Sequence, residues 1–132
     1  VAELGFGTGL NIVALLDLWG RTRPHGGRLQ IFSVEGFPLR RNEAARALKR
    51  WPEVAAVADR LIELWPAPTP GFHRIELPEL DAVVDLAVGD AAWAVNQWAG
   101  RADAWFLDGF APSANPGMWS ETVLDGIVAH SA

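Results

Sequence analysis

The stretch Glu3-Leu-Gly5-Phe6-Gly7-Thr-Gly9-Leu-Asn11 sets three glycines on alternate positions, between a short apolar segment and an apolar run. Glycines so spaced let the backbone turn sharply, remove side chains that would block a ligand, and aim amides and a helix N-terminus at it. That is the chemistry of a nucleotide-cofactor loop. Its G-x-G-x-G spacing differs from the G-x-G-x-x-G of a dinucleotide site, and Glu3 stands two residues ahead of it. A carboxylate in that place repels a pyrophosphate and suits a ligand that carries cationic groups.

Three more acids, Glu35, Asp90 and Asp108, fall at or beside the ends of apolar runs that read as strands. Ligands of open α/β sheets bind at the C-terminal edge of the strands, so four acids in register there form a candidate site. A carboxylate offers two acceptor oxygens. Glu35 can take both hydroxyls of a ribose, and Asp90 can accept from an adenine amino group, although Gly89-Asp90 equally suits a plain turn and helix cap. Asp108 lies in Trp105-Phe-Leu-Asp108-Gly-Phe110-Ala-Pro112, followed by Ser113-Ala-Asn115-Pro116-Gly-Met-Trp119. Two prolines restrict this loop, and Phe110 and Trp119 can wall a planar base or simply fill the core. An adenosine that carries a sulfonium and an ammonium, S-adenosylmethionine, meets these requirements together.

The elements that must position these groups alternate between strand and helix, the pattern of a parallel sheet. The first strand spans residues 1–4 and the following helix 10–19, closed by Gly20. A loop over 21–28 leads to a second strand, 29–34, that ends in Glu35. Pro38 opens the next helix, which reaches Trp51 before Pro52 interrupts it, and a second helical piece covers 53–64. Residues 65–70, Trp-Pro-Ala-Pro-Thr-Pro, form a stiff extended connection within the domain. Residues 72–77 and 83–88 read as a hairpin, the latter also a core strand. A short helix carries Trp93 and Trp98, residues 104–107 make the next strand, and a last helix starts near Ser120 as N-cap.

With 132 residues, half of them hydrophobic, the chain suffices for one domain with a real core. It holds no cysteine, so a disulfide framework or thiolate metal site cannot be built. His25, His73 and His130 lack metal-ligand spacing. The most apolar run, residues 10–19, is too short for a bilayer and is broken by Asn11 and Asp17, so no membrane partner is expected and the cytoplasm is the default location. A start at Val1 and a stop at His130-Ser-Ala without a closing strand read as a piece of a longer protein.

Three segments together carry a closer likeness: Gly-Phe-Gly-Thr-Gly-Leu-Asn over 5–11, Glu-Gly-Phe-Pro-Leu over 35–39 and Trp-Phe-Leu-Asp-Gly-Phe-Ala-Pro over 105–112. With Trp-Pro-x-Pro-x-Pro-Gly-x-His-Arg over 65–74, they resemble the MnmC family across nearly the whole chain. The resemblance implies a Rossmann-like class I methyltransferase domain, partial here, whose mostly parallel α/β sheet lacks its C-terminal strands over 1–132. It implies S-adenosyl-L-methionine as cofactor and a tRNA substrate whose wobble uridine bears an aminomethyl group, the product resembling 5-methylaminomethyl-uridine, often 2-thiolated. Family members also carry an FAD-dependent oxidoreductase domain, fused or separate, absent from this sequence. The resemblance places Glu3, Gly5, Phe6, Gly7, Gly9, Asn11, Glu35, Asp90 and Asp108 around the cofactor. It makes Asp108 the catalytic candidate, with Phe110, Pro112 and Trp119 toward the substrate.

Two other classes stay open on the residues alone: an NAD-dependent oxidoreductase, against which the glycine spacing counts, and a non-catalytic cofactor-binding or scaffold module. A net charge of −5 gives no general attraction to RNA. Arg40, Arg41, Arg46, Lys49 and Arg50 gather on one helix, and Arg21, Arg23 and Arg28 on the preceding loop. Such runs read first as a solvated face.

Overall fold

The computed structural model describes residues 1–107 and 120–132. Within them the chain forms β1 (Ala2–Leu4), α1 (Leu10–Thr22), β2 (Leu29–Glu35), α2 (Arg41–Leu48), α3 (Ala55–Glu63), β3 (Gly71–Leu77), β4 (Ala82–Val88), α4 (Ala91–Gln97), β5 (Trp105–Phe106) and α5 (Glu121–Ala129). The five strands make one sheet in the order β3-β4-β2-β1-β5. β1, β2, β4 and β5 run parallel, and β3 lies antiparallel on β4 with Gly71 opposite Val88. The mostly parallel α/β sheet expected from the alternation is therefore present, and so is the hairpin at its edge.

Each face of the sheet is covered, because strands so rich in Val, Ile and Leu expose apolar groups on both sides. Ile31, Val84, Leu86 and Val88 meet Ile12, Val13 and Leu16 of α1 and Ala58 and Leu61 of α3. On the other face Ala2, Leu4, Phe32, Val34 and Ala87 pack under Ala94 and Val95 of α4 and Val123 and Ile127 of α5. β1 sits between β2 and β5, so successive crossovers depart from it in opposite directions. The strand order thus switches direction at β1, and open α/β sheets bind ligands in the crevice at the C-terminal ends of the strands beside such a switch.

Several boundaries differ from the sequence reading. Gly20 does not close α1, which runs on to Thr22. A side chain at Gly20 would begin 3.1 Å from Leu80 Cδ2, so that glycine answers to packing. The helix stops at Arg23, whose ψ of 141° is extended, because a residue before proline is pushed out of the helical region. α2 starts at Arg41, not at Pro38, and ends at Leu48, short of Trp51. Trp51 also precedes a proline and takes φ −124°, ψ 68°; a 3-10 turn over Pro52–Val54 then leads into α3. β5 is shorter than the expected 104–107. Ser120 caps α5 as expected, accepting from the Val123 amide.

Among the described residues no helix is long and apolar enough to cross a membrane, and no cluster of three or more His, Asp or Glu could hold a metal ion.

Candidate functional site

The glycine loop occupies the C-terminal end of β1. The amides of Gly5 and Phe6 both donate to the Val34 carbonyl, at 2.9 and 3.0 Å, which draws the loop over the neighbouring strand. Gly7 and Gly9 sit at φ 54° and 83°, the left-handed region that side chains rarely enter. Gly9 also caps α1, its carbonyl accepting from Val13 at 2.8 Å. The first turn of that helix thus opens beside the loop and directs its N-terminus there.

The two glycines meet different surroundings. A side chain at Gly9 would press on Leu61, Trp65 and Phe6, at 3.2, 3.4 and 3.5 Å, whereas nothing lies within 4 Å of the corresponding point at Gly7. Gly9 therefore belongs to the packing and Gly7 faces open space where a ligand can approach the backbone. Phe6, expected at the cofactor, has its ring 3% exposed and tilted against Trp65 at 5.1 Å between centroids. Its side chain anchors the loop in the core, so that only its backbone can line the crevice.

Glu35 ends β2 and is buried. Its Oε1 accepts the Gly7 amide at 2.8 Å and its Oε2 the Phe37 amide at 3.0 Å. The carboxylate thus fastens two loops while each oxygen keeps a second lone pair. Glu3 lies inside β1, one residue before its end, and is 1% exposed. Its Oε1 accepts from the Ser33 hydroxyl at 2.7 Å, directly across the β1–β2 pairing. A buried carboxylate requires such partners. Asn11 is half-buried in the first turn of α1.

Asp90 follows β4 and takes the helix-cap option: its Oδ2 accepts the Trp93 amide at 3.1 Å at the start of α4. It is exposed. The structure thus brings Glu3, Gly5, Gly7, Gly9, Glu35 and Asp90 to one edge of the sheet. Asp108, Phe110, Pro112 and Trp119 lie outside the described residues. Trp105, in β5, donates to Ser131 Oγ at 3.1 Å and packs edge-on against Trp98.

Ser33 and Trp65 were missed by sequence reasoning. Ser33 left a signal, since it is polar in the middle of a buried strand. Trp65 supports the loop through Phe6 and holds the Leu39 carbonyl through its indole N–H at 2.9 Å. Nothing in its Pro-rich surroundings announces that task.

A left-handed glycine loop at a helix N-terminus, open at Gly7, with a buried carboxylate at the end of the adjacent strand, fits a nucleoside cofactor. The chain belongs to the family described as S-adenosyl-L-methionine-dependent methyltransferase, whose sequence model matches residues 52–132. That match begins after the glycine loop and Glu35, and similarity to individual proteins extends it over them. The chain is 58% identical over 132 residues to the tRNA 5-methylaminomethyl-2-thiouridine biosynthesis bifunctional protein MnmC of Caulobacter vibrioides, which covers 100% of this chain and 22% of that protein. It is 57% identical to the protein of the same name from Caulobacter sp. K31, with 100% and 23% covered. The Acinetobacter baylyi protein of that name is 47% identical, with 97% and 21% covered. The chain spans about a fifth of the length of these relatives.

Proposed function

We propose that this chain binds S-adenosyl-L-methionine at the β1–β2 edge and serves transfer of its methyl group to the aminomethyl nitrogen of a tRNA wobble uridine. The product is 5-methylaminomethyl-uridine or its 2-thio form. The observation that carries this reading is the Glu35 clamp on an open Gly7, in a chain whose MnmC relatives match it from end to end.

When bound, the cofactor supplies an electrophilic methyl group on a sulfonium. Glu35 turns its remaining lone pairs to the ribose hydroxyls, and Asp90 accepts from the adenine amino group while it caps α4. The buried Glu3 supplies the negative field that suits the cationic part of the ligand, and the amides of the glycine loop serve as donors to its carboxylate. Asp108, two positions after the last residue of β5 in the sequence, is the residue we assign to orient the substrate amine. An alkyl amine titrates near the lysine value of about 10.4 and must lose its proton before its lone pair can attack, so a carboxylate at Asp108 also serves as proton acceptor. The remaining acceleration comes from holding the reacting atoms in line.

Flavin has no place in the chemistry of these residues; it enters only with the second activity of a bifunctional relative. A tRNA substrate puts the reaction in the cytoplasm. Calorimetry with S-adenosyl-L-methionine, with NAD as control, and transfer of a labelled methyl group to tRNA bearing the aminomethyl precursor test the reading. Binding of NAD in place of the sulfonium cofactor would overturn it.

A further inference from the structure

We infer that the exposed face of α2 is a docking surface for the sugar-phosphate backbone of RNA, with Arg46, Lys49 and Arg50 as the phosphate contacts and Trp51 as a stacking platform beside them. The inference rests on the tRNA reading above and assigns its surface.

Although the chain is acidic overall, residues 40–50 carry five of its eleven cations and a single carboxylate, Glu43. The structure sorts the cations into two groups. Arg21 pairs with Asp17 at 3.1 Å, Arg23 with Asp81 at 3.0 Å, Arg60 with Glu79 and Glu63 at 2.7 and 3.2 Å, and Arg74 with Asp85 at 2.8 Å. Of the Arg21, Arg23 and Arg28 group that offered an alternative basic surface, Arg21 and Arg23 are thus already paired with carboxylates, and Arg28 makes none of these pairs. Among the described residues no ion pair involves a cation of residues 40–50, and all five are exposed.

Their arrangement is directional. Ala44 and Leu48 are buried beneath α2. At ~100° per residue, Arg46 lies opposite that seam, and Lys49 and Arg50 follow in the turn that closes the helix, their amides donating to the Ala45 and Ala47 carbonyls. Like charges so near one another repel, and a solvated helix gains by interleaving carboxylates. Of the sixteen carboxylates of the chain one, Glu43, shares this face, three residues before Arg46, and its Oε1 is engaged by the Arg40 amide at 3.0 Å. A face with such an excess of positive charge in an acidic protein complements a polyanion.

Trp51 follows directly and is 42% exposed. With Lys49, Pro52, Ala55 and Asp59 it lines a groove of about 180 Å³ between α2 and α3. Asp59 lines the same groove as Lys49, so Arg46 and Arg50 are taken as the principal contacts. An indole held at a groove rim among cations is a platform on which any base can stack. α2 begins six residues after Glu35 and is ~12 Å long, at 1.5 Å per residue. Phosphate contacts there position a nucleic acid and carry no sequence information.

The test is tRNA binding by the full chain over a salt series, comparing the parent with Arg46→Gln/Lys49→Gln/Arg50→Gln, with Trp51→Ala, and with Arg28→Gln as an exposed arginine elsewhere. Removal of three phosphate contacts is expected to weaken tRNA binding roughly 10- to 100-fold at low salt and to make the slope of log K against log salt shallower by about 2. The triple variant should keep the parent's thermal midpoint and its affinity for S-adenosyl-L-methionine, so that KM for tRNA rises while kcat holds. Trp51→Ala should weaken binding several-fold with the slope unchanged, and Arg28→Gln should match the parent. A parent that binds tRNA and a triple variant with the same affinity and slope would sink the inference and direct this face to an acidic protein partner. Failure of the parent itself to bind tRNA is a different outcome, which removes the substrate reading and this surface with it.

Discussion

The carboxylate of Glu35 holds the amide of Gly7 at 2.8 Å, across the gap between the end of β2 and the glycine loop. Its other oxygen holds Phe37, so one side chain sets the positions of two loops that face the same crevice. Glu35→Gln should lose both stability and affinity. An amide can accept from only one of the two backbone donors and presents N–H to the other, and a hydrogen bond to a charged group is worth about 2 kcal/mol. A lowered thermal midpoint together with at least tenfold weaker S-adenosyl-L-methionine binding is the expected pair of results. Loss of stability alone would make Glu35 only a structural clamp.

Gly7 and Gly9 should separate binding from folding. Gly7→Ala pays backbone strain of about 1 kcal/mol, with free space around the new methyl group. Gly9→Ala adds crowding against Leu61 and Trp65, which brings its cost to about 2 kcal/mol or more. Denaturant unfolding and calorimetry on both variants should show Gly9→Ala with the larger stability loss and Gly7→Ala with the larger affinity loss per unit of stability.

At Asp90 the cap and the adenine contact can be told apart. Asp90→Asn retains an acceptor for the Trp93 amide and should leave the thermal midpoint near that of the parent, while Asp90→Ala should cost about 1 kcal/mol. If the carboxylate also accepts from adenine, both variants weaken cofactor binding, because asparagine has a single acceptor oxygen to share. An Asn variant with full affinity would confine Asp90 to capping.

Asp108→Asn tests the proton-acceptor role. The expected outcome is near-normal S-adenosyl-L-methionine affinity with turnover down about 100-fold or more, in the usual range for a general base. A parent-like turnover number would remove Asp108 from the chemistry, and loss of cofactor affinity alone would assign it to binding.

The contact between α4 and α5 depends on Gly126, where an added methyl group would collide with Val95 Cγ1. Gly126→Ala should destabilise by about 2 kcal/mol, the cost of overpacking a tight core. Shortening the opposing side chain in Gly126→Ala/Val95→Ala should recover part of that loss, as a double-mutant cycle would show.

Much of this arrangement was legible in the order of the residues, because local rules and the tertiary structure agree there. The apolar run that ends in Glu35, the hairpin from Gly71 to Val88 and the Ser120 cap each follow from periodicity or cap chemistry acting over a few residues. The glycine loop was legible for the same reason. What escaped depends on distant partners. Gly20 looks like a helix stop until Leu80, sixty positions later in the chain, takes up the space a side chain would need. Ser33 gains its meaning from Glu3 on another strand, and Trp65 from Phe6 and Leu39. The early end of α2 was within reach: Trp51 precedes Pro52, which displaces it from the helical region.

The sheet separates two apolar clusters, and the glycine loop is moored to one of them alone, through Phe6, Leu61 and Trp65. The α4–α5 layer belongs to the other. Substitutions in that second layer can accumulate and reshape its surface while the moorings of the loop stay as they are. Such a layout lets the α4–α5 layer vary while the loop keeps its footing, with Asp90 at the start of α4 as the point through which such changes would reach the site.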